Sequence, residues 1–226
     1  MGFTLSIINI SCERDERLLF EGVNAEFHSG DIVQLAGPNG SGKTTLAKII
    51  IGIVPHSNGS IEWRASSATV ECPTLRESLL YLGHQPAVKS SLTALENLQW
   101  YFGLNGAKAP SASPQAFERS LFEGALEAVG LAGYEDVACY QMSAGQQRRV
   151  ALARLYLSQA PIWILDEPFT AIDTKGVTAL ELCIQTHAKR GGLVLLTTHQ
   201  TLSIEGVKPL NIADYLPTSE QRSFYD

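Results

Sequence analysis

Eight consecutive residues, Gly37-Pro38-Asn39-Gly40-Ser41-Gly42-Lys43-Thr44, restrict the fold of this chain more than any other feature. They follow a short apolar run, Asp31–Ala36, and precede an apolar segment of helical character from Thr44 to about Ile51, closed by Gly52 and Pro55. A strand, a glycine-rich turn and a helix in that order make successive backbone N–H groups converge on an anion. Glycine permits the positive φ that the turn requires, and the helix adds the positive end of its dipole. The spacing G-x-x-x-x-G-K-[ST] puts a lysine within reach of β- and γ-phosphates and a hydroxyl where it can ligand Mg2+. The stretch Gly37, Pro38, Asn39, Gly40, Ser41, Gly42, Lys43, Thr44 and Thr45 is therefore expected to cradle a nucleoside triphosphate.

The rest of the sequence supplies a scaffold for that turn. Its 226 residues suffice for one large domain or two small ones, and 45% apolar with 18% charged residues is a globular composition. A net charge of −6 argues against a general nucleic-acid binder, which would carry a basic excess. Cys12, Cys72, Cys139 and Cys183 are scattered without a C-x-x-C pair, so neither a zinc knuckle nor a disulfide framework is expected, and reduced thiols fit the cytosol. The longest apolar stretches, Ile49–Val54 and Leu193–Leu196, are far too short to span a bilayer, and the N-terminus lacks a signal-peptide pattern. Cys72-Pro73 reads as a turn and not as a haem ligand.

Along the chain, Phe3–Ile10 reads as a strand and Leu18–Phe27 as one or two more around Glu21-Gly22. Asn58-Gly59 suggests a hairpin turn before a strand at Ser60–Arg64, and Leu79–Gly83 is another strand. From about Ala87 to Gln159 the pattern becomes helical, with a capping box at Thr93–Glu96, a loop at Asn105–Gln115, and helices at Phe117–Val129 and Ala144–Gln159. Strand Ile162–Leu165, helix Lys175–Lys189 and strand Leu193–Thr197 follow. Alternating strands and helices imply a largely parallel sheet, with residues 87–159 as an inserted helical lobe of a single domain, 1–226.

Two further patterns gain meaning beside the cradle. Ile162-Trp163-Ile164-Leu165-Asp166-Glu167 is an apolar strand ending in two acids. Burying it beside the cradle strand brings Asp166 to the ligand-binding edge as a Mg2+ partner, and leaves Glu167 to polarise water for attack on the γ-phosphate. Met142-Ser143-Ala144-Gly145-Gln146 opens an arginine-bearing helix and forms a second anion-binding end. In isolation it is an ordinary N-capped helix. A second phosphate site inside the lobe makes sense if it serves the nucleotide of a neighbouring copy.

The order of GPNGSGKTT, Gln85, MSAGQ, ILDEP, Asp173 and His199 resembles the ATP-binding cassette of ABC transporters over roughly residues 3–200. The stretches LGHQPAVKSSLTALENL, SAGQQRRVALARL and DEPFTAID resemble more closely the ATP-binding subunits of the cytochrome c maturation (haem exporter) branch. The resemblance implies an α/β P-loop NTPase fold with a mainly parallel core sheet, an antiparallel β subdomain and an inserted helical lobe. It implies ATP and Mg2+ as ligands, with Thr44, Asp166 and Gln85 around the metal. It casts Glu167, His199 and Gln85 as catalytic. Ser143, Ala144, Gly145, Gln146 and Asp173 then complete the nucleotide site of a second copy of the chain in a head-to-tail dimer.

By the same resemblance, an integral membrane permease, the haem-exporter membrane subunit, faces Gln85 at the cytoplasmic side of the bacterial inner membrane. The output would be release of a haem-loaded chaperone, and no direct haem site is evident in the chain. A cassette for another substrate, or an assembly module gated by ATP with little hydrolysis, are the competing expectations. The family's adenine-stacking aromatic has no counterpart in Ser11–Glu16, where Arg14 is the candidate instead. The segment from about Thr201 onward matches no motif and is expected to be peripheral.

Overall fold

The first strand shows how side-chain parity builds the molecule. In Phe3–Arg14 (β1), Phe3, Leu5 and Ile7 are buried while Thr4 and Ser6 are not, the alternation of a strand with one covered face. At Asn9 the backbone turns left-handed, with φ 53°, and the pairing register slips on both sides, so that Ile10 and Cys12 become the inward residues. This is a computed structural model, and it describes residues 2–14, 17–65, 74–104 and 119–217.

After β1 come Arg17–His28 (β2), Ile32–Ala36 (β3), Lys43–Ile50 (α1), Asn58–Ala65 (β4) and Leu79–Leu82 (β5). The helices Ala94–Leu104 (α2), Arg119–Ala128 (α3) and Ala144–Leu157 (α4) follow. Ile162–Asp166 (β6), Thr174–Lys189 (α5), Leu193–Thr197 (β7) and Lys208–Asn211 (β8) complete the described elements. The chain divides into two units: Met1–Tyr81 with Ala160–Glu167 and Ile184–Asp226, and Leu82–Gln159 with Pro168–Cys183.

The first unit contains an antiparallel sheet, β2-β1-β4, and most of a five-stranded sheet in the order β5-β6-β7-β3-β8. In the latter, β6 with β7, β7 with β3, and β3 with β8 run parallel. Every residue of β6 and β7 is buried, which is why both read as unbroken apolar runs and not as alternating ones. Leu5, Ile7, Ile10 and Phe20 from the antiparallel sheet share one core with Leu35, Ile164, Leu195 and the Leu46, Ile49 and Ile50 face of α1. That packing fixes the strand–turn–helix on which the cradle depends.

Three expectations change. Asn58-Gly59 is not a hairpin turn but the start of β4, where Gly59 crosses the bulge of β1. A Cβ there would lie 2.4 Å from the carbonyl oxygens of Ile8 and Asn9. The strand bearing Asp166 is not beside the cradle strand, because β7 lies between β6 and β3. The segment after Thr201 is not peripheral either. Its strand β8 pairs with β3 from Val33↔Lys208 to Ala36↔Asn211, and Ile212 is fully buried in the core. As an edge strand it tolerates Pro209, which a central strand would not. The loop expected at Asn105–Gln115 lies outside the described residues, as does Cys72-Pro73, and α3 is described from Arg119.

In the second unit, α2, α3 and α4 pack around Leu95, Leu98, Phe102, Phe122, Leu126 and Val150. The capping box expected at Thr93–Glu96 forms, with each residue's side chain accepting from the other's backbone N–H at 3.1 and 2.8 Å.

Candidate functional site

The cradle is a turn that only its glycines permit. Gly37, Gly40 and Gly42 have φ of 140°, 80° and 94°. A Cβ on Gly42 would lie 2.7 Å from the ring of Phe20, and one on Gly37 would lie 2.7 Å from Ser41 Oγ. Gly42 caps α1 without any side chain, so the first N–H groups of that helix keep their donors for an incoming anion. Lys43 is buried at the mouth of α1, and its ammonium donates to the carbonyls of Gly37 (2.8 Å) and Pro38 (2.9 Å). A cation is thus held in the turn by bonds to two of its carbonyls, bonds it can exchange for phosphate oxygens.

Parallel register brings the acids to the same edge. Leu35, Thr197 and Asp166 are direct partners across β3, β7 and β6. Asp166 Oδ1 accepts from Thr44 Oγ1 at 2.9 Å and from Thr197 Oγ1 at 2.7 Å. Thr197 Oγ1 in turn accepts from the backbone N–H of Glu167 at 2.9 Å. Glu167 has φ 51°, a left-handed conformation unusual for a residue with a side chain. Its Oε1 lies 3.5 Å from His199 Nε2, with the imidazole more exposed than the carboxylate, 58% against 21%. The structure therefore gathers Gly37–Thr45, Asp166, Glu167 and His199, all within the first unit.

The second unit holds the remaining candidates. Ser143 caps α4 by accepting from Gln146 N–H at 3.2 Å, while Gln146 Oε1 accepts from Ser143 N–H at 2.9 Å. Ser143 and Ala144 are exposed. Gly145 packs so closely on the chain that a Cβ would lie 2.9 Å from the carbonyl of Ala171, two residues before Asp173. Asp173 accepts from Gly176 N–H at 2.8 Å and from Arg149 at 2.7 Å, and these two contacts hold its carboxyl below the usual range. Gln85 is exposed on a loop after β5 whose backbone carbonyls receive hydrogen bonds from α4.

A strand-borne cradle followed by an N-capped helix in an inserted lobe is matched by a known protein family: the ABC transporter family model fits residues 20–170. The chain belongs to the ABC transporter family. It is 54% identical over 215 residues to the cytochrome c biogenesis ATP-binding export protein CcmA of Saccharophagus degradans, covering 95% of this chain and 96% of that one. The CcmA of Hahella chejuensis is 50% identical over 198 residues, covering 88% and 90%. The solved ATP-binding subunit of an ABC transporter superposes with a TM-score of 0.73 at 26% identity, over 86% of this chain and 79% of that one.

Within this ABC cassette, Thr197 is a site residue that the sequence reading missed. Its signal was a hydroxyl closing the otherwise apolar run Leu193–Leu196 at the level of the strand-end acid. Arg148 and Arg154, read only as residues of an arginine-bearing helix, are buried and bonded to the Gln85 loop. Arg14, the adenine-stacking candidate, stands exposed at the end of β1.

Proposed function

We propose that the chain is the ATP-hydrolysing subunit of a membrane export complex in cytochrome c biogenesis, working as a head-to-tail pair of copies. The observation that carries this reading is that one polypeptide presents two anion-binding helix ends of different make. One is the cradle on α1 with its lysine, acids and histidine. The other is the Ser143–Gln146 cap of α4, with Ser143 and Ala144 exposed and no acid in its first turn. The names of the CcmA relatives support the export role.

In this reading the cradle N–H groups and Lys43 hold the phosphates of ATP. Thr44 and Asp166 present two hard oxygen ligands 2.9 Å apart, a donor set that fits Mg2+, which typically takes one or two protein oxygens together with phosphates and water. Gln85 is assigned to the same metal. Bound Mg2+ would neutralise charge on the β- and γ-phosphates. Glu167 accepts a proton from the attacking water, and His199 contacts the γ-phosphate region from its place beside Glu167. Ser143, Ala144, Gly145 and Gln146 of the second copy close over the γ-phosphate, with Asp173 at the interface between copies. Loss of that phosphate removes the charge joining the halves, and the pair opens.

Among the described residues no helix is long and apolar enough to cross a membrane. The passage is assigned to a permease partner, by resemblance the haem-exporter membrane subunit, with the chain held peripherally at the cytoplasmic face of the inner membrane. Release of a haem-loaded chaperone is the proposed output. Glu167→Gln tests the catalytic assignment: ATP binding is retained and hydrolysis falls about 100-fold or more. Unchanged turnover removes Glu167 as the base.

A further inference from the structure

Side chains of α4 and α2 hold the backbone of the loop that carries Gln85. Arg148, 4% exposed, donates from Nη1 to the carbonyls of Gly83 (2.7 Å) and His84 (3.3 Å). Arg154, 2% exposed, donates from Nη2 to the carbonyl of Ala87 at 2.8 Å, and its guanidinium lies 4.4 Å from the centre of the Tyr101 ring. Ala87 is left-handed, with φ 49°. At the far end, Lys89 N–H donates to Asn97 Oδ1 at 2.7 Å, and Asn97 Nδ2 donates to the Lys89 carbonyl at 3.0 Å. The backbone is therefore pinned at residues 83, 84, 87 and 89, and exposed Gln85 sits between the pins.

Burying a guanidinium costs free energy that an aliphatic side chain filling the same space would not, and what each arginine adds here is the bonds its Nη groups make to the loop carbonyls. Loop carbonyls outside any sheet or helix need donors, and a planar fork of five N–H groups supplies them in fixed directions. We infer that Arg148 and Arg154 are positioning residues for Gln85: they make its loop part of the same rigid body as the helix whose first turn carries Ser143. Anything that engages the Ser143 end of α4 then displaces or fixes the Gln85 backbone with it. This inference rests on the roles given to Gln85 and Ser143–Gln146 under the proposed function.

The test uses the full-length chain with Mg-ATP, steady-state phosphate release and backbone hydrogen exchange read by mass spectrometry. Gln85→Ala and Arg148→Met each lower kcat about tenfold to 100-fold, the cost of misplacing a positioned group, with KM for ATP within about twofold. The double variant is no slower than Gln85→Ala alone, because Arg148 acts through Gln85. Exchange of the Lys89 amide, the loop N–H that donates to Asn97, speeds about tenfold in Arg148→Met, and Arg148→Lys recovers kcat to within about threefold because an ammonium still reaches the Gly83 carbonyl. Arg154→Met and Arg154→Lys behave in the same way. Additive losses in the double variant, unchanged loop exchange, or a lysine no better than methionine overturn the inference while leaving Gln85's role intact. A Gln85→Ala chain of wild-type kcat removes that role and the inference together.

Discussion

Thr197→Val takes away one oxygen and puts a methyl group in its place, in the middle of the strand-end acids. The lost oxygen both donates to Asp166 (2.7 Å) and accepts from Glu167 N–H (2.9 Å), so the substitution breaks two hydrogen bonds and opens no cavity. A bond to a carboxylate contributes about 1.5–3 kcal/mol and a neutral one about 0.5–1.5 kcal/mol, so the folded state loses about 2–4 kcal/mol. That should be visible as a lower urea midpoint at unchanged slope. The effect on turnover follows from position: Asp166 loses one of its two hydroxyl donors at Oδ1, and Glu167 loses the contact that holds its left-handed backbone. Hydrolysis should fall about tenfold to 100-fold, while nucleotide binding by the cradle changes little. Thr197→Ser keeps the hydroxyl and should stay near wild type on both measures. A Thr197→Val chain with normal turnover, or a serine variant as impaired as valine, would refute the idea that this hydroxyl links the two acids.

Other perturbations have equally definite outcomes. Gly42→Ala must carry a φ of 94° and place its methyl group 2.7 Å from Phe20, so it should lose about 2–4 kcal/mol in urea unfolding and bind ATP more weakly. His187 stacks on Trp163 at 3.7 Å, and burial pushes its pKa down to about 4. The unfolded state, with the ordinary value near 6.5, then binds the extra proton first. Stability is full above pH ~6.5 and declines as pH falls toward ~4, and a His187→Phe chain should lose that part of the slope in urea midpoints across the range. Lys208→Met removes the ion pair to Asp31 (2.7 Å), in which the lysine is exposed but the carboxylate is largely covered, and urea unfolding should show a loss of about 1–3 kcal/mol.

The features that were legible in the sequence are those whose chemistry is local. A cradle is readable because its glycines, lysine and threonine act within one turn, and the capping box at Thr93 and the N-cap at Ser143 because each closes over three residues. What escaped depended on partners distant in sequence. The strand β8 has no apolar run to announce it, since its role comes from lying against β3 some 175 residues earlier, as in Val33↔Lys208. Asn58-Gly59 carries a turn dipeptide, but there the glycine answers a bulge at Asn9. Thr197 gains its meaning only from the register that sets it opposite Asp166. Arg148 and Arg154 look like solvated helix charges until the loop they hold is seen.

The central claim is that each nucleotide is enclosed by the cradle of one copy and the Ser143 end of the other. Molar mass by light scattering, measured on the Glu167→Gln chain with Mg-ATP, tests it most directly. The account predicts that ATP doubles the mass, that ADP does not, and that adding Ser143→Arg abolishes the doubling while single chains still bind ATP. Doubling that survives Ser143→Arg, or ATP binding that is lost with it, would contradict the account.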